Sequence, residues 1–174
     1  MIEPDSSNSL LTQRTNLQIT LLCSGIIGAV LFTTIYFCFG VIAPNYYMIH
    51  EPISRLQLQP YGWIQSLNYV VSGVLICTFS LALRKELVSG FGSTLIPFFH
   101  LLTGLGSIIL GVCLNHQVQL YTGGIIFLSL IIGLLLFTGR FSANPQWRGW
   151  AMYTILSVLF MIALGILFTY SATH

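Results

Sequence analysis

The side chains able to do chemistry here are few, and their spacing groups them. Tyr61, Gln65, Asn68 and Ser72 step by four, three and four residues, which puts them on one face of a helix. His100, Thr103, Ser107 and Gly111 do the same further on, with Gly104 beside them. Hydroxyls and carboxamides of this kind donate and accept hydrogen bonds; without carboxylates they do not perform general acid–base catalysis. His100 is the one ionisable group well inside an apolar stretch, where such groups point to a pathway or a gate. No Asp or Glu lies in any apolar stretch to pair with it, so a proton relay lacks its second member.

A second group is compact. His50 and Ser54 are four apart, as are Glu51 and Arg55, so a short helical turn places each pair on one face. Arg55 offers a guanidinium fork suited to an anionic headgroup or ligand. His50 with Ser54 has the makings of a base and a nucleophile, yet no buried Asp orients the His and no glycine elbow surrounds the Ser. No catalytic residue is assigned, and the chain is expected not to be an enzyme. His50, Glu51 and His116 lack a recognised metal spacing, so neither metal nor cofactor is expected. Cys23, Cys38, Cys77 and Cys113 all fall in apolar segments without Cys-x-x-Cys spacing and read as small buried hydrophobes.

The elements that must position these groups are membrane helices. Of 174 residues only 6% are charged and 55% are hydrophobic, whereas soluble domains carry roughly 25% charged residues. Lipid must cover most of the surface. A net charge of +2 is too small to imply nucleic acid.

Residues 1–16 read as a polar, disordered or surface-lying tail. Apolar runs at 17–43, 62–83, 95–114, 118–138 and 150–170 read as five spans, with 171–174 a short end. The first run is too long for a signal-peptide core. Alternating the loops puts Arg14, Arg84, Lys85, Arg140 and Arg148 on one side and only Arg55 on the other. That bias predicts a cytoplasmic N-terminus. Tyr46, Tyr47, Tyr61 and Trp63 mark one interface, Trp147 and Trp150 the other. Antiparallel neighbours would bring Asn68 and Ser107 to similar depth, a polar seam between spans two and three that the loop at 44–60 caps. Gly25-x-x-Gly28-Ala29 supplies a close-packing face in span one.

The stretch from His50 to Gly73 resembles the multi-pass membrane family designated domain of unknown function 998. Ser54, Leu56, Pro60-Tyr61-Gly62-Trp63, Gln65, Asn68, Gly73 and the basic close at Leu83-Arg84 carry the likeness. Asn144-Pro145, Trp147-Arg148-Gly149 and Tyr153 resemble the family's later loop and following helix. The resemblance implies a bundle usually of about six spans with no assigned activity. This chain departs from it in a turn cut to Asn115-His116-Gln117 and in a count of five spans.

The expectation is an all-α integral membrane bundle of five transmembrane helices in the plasma (inner) membrane. It would bind a membrane lipid, a small ligand or a partner subunit (a second copy included) through Arg55, Tyr61, Gln65, Asn68 and Ser107. The alternative is a small transporter or channel component with His100 in the pathway.

Overall fold

The computed structural model describes the backbone of residues 6–173 and the side chains of residues 16–167. Five helices make up the fold: α1 (Ser6–Ile42), α2 (Trp63–Glu86), α3 (Leu95–Val112), α4 (His116–Ser142) and α5 (Arg148–Thr173). Two 3-10 turns, Ile53–Leu58 and Pro145–Trp147, lie in the loops, and no strand occurs among the described residues. All five helices are long and apolar enough to cross a membrane. Their outer faces expose Ile26, Val30, Leu81, Leu128, Phe160 and many other large apolar side chains, the surface expected where lipid replaces water as solvent.

Local chemistry sets the ends. Asn115 caps α4, its Oδ1 accepting from Gln117 N at 2.9 Å and Val118 N at 3.3 Å. Asn144 caps the Pro145 turn in the same way, accepting from Gln146 N at 3.1 Å. These asparagines answer the orphan N–H groups of a helix start. Pro44 and Asn45, the latter at φ 57°, end α1. At its other end α1 begins at Ser6, ahead of the expected start at 17. No Gly or Pro separates the polar residues 6–16 from the apolar run, so the helix propagates into them; residues 1–5 and His174 lie outside the description.

The spans pack in chain order, α1 on α2, α2 on α3, α3 on α4 and α4 on α5. The α2–α3 interface is the closest. A Cβ on Gly73 would stand 2.7 Å from Gly104 O, and one on Gly111 would stand 2.7 Å from Ser66 O. The backbones therefore touch at both glycines, the small-residue packing that holds helices together in lipid. Ser80 Oγ adds a 2.6 Å bond to Pro97 O across the same interface, and Ser24 Oγ a 3.0 Å bond to Leu75 O between α1 and α2.

Each end of the row has its own apolar knot. Leu56 of the first 3-10 turn is fully buried against Phe39, Ala43 and Tyr46, which folds the loop at 43–62 down onto α1. At the other end Ile96 is fully buried against Leu83 and Leu87. That end carries Arg84, Lys85, Arg140 and Arg148 and is called the basic side below.

Candidate functional site

α2 has neighbours on two faces, and its polar residues divide between them. Ser66, Val70, Gly73, Cys77 and Ser80 face α3, whereas Ser72, Leu75 and Phe79 meet α1. At 100° per residue these are separate stripes, with Gln65 and Tyr69 between them. Asn68 belongs to the α1 stripe: its Nδ2 donates to Phe32 O at 3.1 Å. The expected single seam between spans two and three is thus corrected. Asn68 binds the first span, and Ser107 donates to Thr103 O of its own helix at 2.9 Å. The physical reason is the glycine contact, which at Gly73 and Gly104 brings the α2 and α3 backbones too close for an amide to lie between them at that level. Tyr61 departs too: it precedes α2, at φ 65° and 72% exposed, and does not join the Gln65 face.

What assembles instead is an amide and phenol cluster beneath the loop at 43–62. Gln65 is 0% exposed and Asn68 is 1% exposed. Asn68 Nδ2 also approaches Gln65 Oε1 at 3.4 Å, and Ser72 Oγ donates to Asn68 Oδ1 at 3.4 Å. The Tyr69 phenol lies beside Gln65, and its ring packs on Phe32 at 5.3 Å between centroids. Gln65 Nε2 is fully buried and makes no well-formed hydrogen bond, the Tyr69 phenol being the group that stands beside it. Above it Tyr46 shares a hydrogen bond with Tyr36 and reaches Glu51 O at 3.3 Å. Burial, then the neighbouring Tyr36, pushes the Tyr46 phenol far above the ordinary tyrosine range, so it stays a neutral donor.

Two residues that the spacing argument passed over hold the loop in place. Gln57 Nε2 donates to Leu110 O at 2.9 Å and to Ser66 Oγ at 3.1 Å, while Gln57 Oε1 accepts from Gln119 Nε2 at 2.6 Å. One carboxamide therefore ties the loop to α2, α3 and α4. Its only sequence signal is an isolated glutamine outside any apolar run, which carries no period. Gly62 packs its Cα against the Gln57 backbone, where a Cβ would collide. Arg55 lies above this tie, 57% exposed, in a 3.0 Å ion pair with Glu51, which is 13% exposed. Among the described residues no three His, Cys, Asp or Glu side chains gather as a metal would require.

His100 sits elsewhere, toward the basic end of α3. Its Nδ1 hydrogen-bonds Ile96 O at 2.9 Å, and its ring meets Phe79 and Phe137 edge-on at 5.7 and 5.6 Å. Gly133 of α4 leaves room for it: a Cβ there would stand 2.9 Å from His100 Cε1. The imidazole thus wedges α2, α3 and α4 together, apart from the Gln65 cluster.

No curated protein and no solved structure matches this chain. Residues 26–174 match the family described as protein of unknown function (DUF998), so the chain belongs to that family.

Proposed function

We propose that the protein is a non-enzymatic lipid-binding component of the plasma (inner) membrane, its basic side toward the cytoplasm. It takes an acceptor oxygen of a lipid headgroup beneath the loop at 43–62, where Gln65 and Asn68 present their amides. The supporting observation is Gln65 Nε2, a buried donor that no group of the chain satisfies with good geometry. Leaving such a group unmade costs about 1–3 kcal/mol, and a carbonyl, hydroxyl or phosphate oxygen reaching it recovers that cost. The Tyr69 phenol beside Gln65 adds a further polar group, so the site suits a polar headgroup without demanding charge. Arg55 is the outermost candidate contact, already partnered by Glu51.

Native mass spectrometry of protein released from nanodiscs tests this reading. Wild type should carry a defined lipid mass, and Gln65→Leu should lose it while keeping its helix content. A bare wild-type protein, or one that co-purifies with a polypeptide in place of lipid, would overturn the reading in favour of a partner-binding role.

A further inference from the structure

The second polar feature lies at the opposite end. A cavity of about 480 Å³ opens between residues 89–91 and 140–147, lined by Ser89, Phe91, Arg140, Phe141, Asn144 and Trp147 among others. Its size is that of a small-molecule site. Arg140 is half-buried there, and its Nη1 donates to Ser89 O at 3.0 Å and Phe91 O at 3.1 Å. A guanidinium has five N–H donors, so three remain beyond that loop tie. No carboxylate lines the cavity, and Arg140 forms no ion pair among the described residues. A partly desolvated cation without a counter-charge favours an anion beside it. Asn144 Oδ1 is occupied by Gln146 N, so what its carboxamide can offer a ligand is its NH2 group.

The walls narrow the class of anion. Phe137, Phe141 and Trp147 stack in file, at 5.4 Å and 21° and then 5.9 Å and 19°. One end of the file borders the cavity and the other meets His100, so an apolar aromatic wall leads from the charged site toward the helices. A free anion has no use for such a wall; an acyl chain does. Arg84, Lys85 and Arg148 add positive charge on the same side.

We propose that this cavity seats the phosphate of an anionic phospholipid from the leaflet on the basic side, Arg140 holding the phosphate and the aromatic file holding a chain. The site is separate from the Gln65 cluster and does not depend on it. The test uses the full chain in nanodiscs of mixed phosphatidylglycerol and phosphatidylcholine, released for native mass spectrometry. Wild type should retain phosphatidylglycerol over phosphatidylcholine by about tenfold: both carry the phosphate, but the choline cation of the second offsets its charge beside Arg140. Arg140→Gln should abolish the preference. Because that change also unties residues 89–91, Ala143→Glu is the second variant: it places a carboxylate at the exposed rim and leaves the Arg140 bonds intact. It should abolish the preference with unchanged helix content, and Gln65→Leu should retain it. Equal retention of the two lipids by wild type, or a preference surviving in Ala143→Glu, overturns the proposal. Inorganic phosphate that binds the detergent-purified protein and displaces phosphatidylglycerol at equal concentration would assign the cavity to a soluble anion and overturn the lipid.

Discussion

Arg55 and Arg140 stand at opposite ends of the helix row, each beside a loop. Arg55 is mostly exposed and already paired with Glu51, and its loop is held by a neutral residue, Gln57. Arg140 is half-buried and unpaired by any carboxylate, and it holds its own loop through two carbonyls. The difference teaches that charge and anchoring are exchanged between the two ends. On the far side the amides do the anchoring and the guanidinium is spare. On the basic side the guanidinium anchors and still has donors free. The proposed far-side contact is therefore one of hydrogen bonds, the proposed basic-side contact an electrostatic one.

The sharpest way to break that contrast is at Gln57. Gln57→Leu removes three hydrogen bonds at once, each contributing about 0.5–1.5 kcal/mol, and strands Leu110 O. A loss of roughly 3 kcal/mol in stability, read by thermal unfolding in detergent, should come with fast proteolysis within residues 43–62. If the loop stays protected, Leu56 alone holds it and the amide tie is incidental.

How much of this was legible in sequence follows from where each signal resides. The five spans were, because an apolar run without charge has one stable fate in lipid. The burial of Gln65 and Asn68 was also legible, from their spacing on one helical face. Which neighbour Asn68 meets was not, since a face does not name its partner and the Gly73–Gly104 contact takes up the α3 side. Gln57, Gln119 and the Arg140 cavity escaped for a simpler reason. Each joins segments far apart in the chain, and no local period records such a meeting.

Gln65 and Asn68 sharpen the far-side reading because their stability effects should oppose their adjacency. Asn68→Leu removes the tie to Phe32 O and the acceptor of Ser72 Oγ from a buried setting and should cost about 1–3 kcal/mol. Gln65→Leu removes a donor without a well-formed bond and one long contact to Asn68, so it should lower the melting temperature far less than Asn68→Leu. Equal destabilisation by both would mean that Gln65 Nε2 is satisfied within the chain, and the case for a headgroup there would fall.

His100→Leu separates packing from transport. The ring makes two edge-on aromatic contacts, and such pairs contribute about 0.5–1.5 kcal/mol each beyond area burial. The substitution should lower the melting temperature modestly and leave proteoliposomes without solute or proton flux, as in wild type. Flux present in wild type and lost in His100→Leu would instead establish the pathway reading.

The smallest effect should belong to Arg55. An exposed i,i+4 ion pair contributes about 0–1 kcal/mol, so Arg55→Gln should barely move the melting temperature. Glu51 is the more buried partner, and its Oε2 also accepts from Tyr47 N at 3.4 Å. Glu51→Gln should therefore cost more than Arg55→Gln, although both remove the same pair. If Arg55→Gln leaves the melt unchanged yet strips the lipid that Gln65→Leu also strips, the exposed guanidinium exchanges Glu51 for the headgroup and belongs to the far-side site. If lipid retention survives, the hydrogen-bonding amides suffice there, and the electrostatic role rests with Arg140 alone.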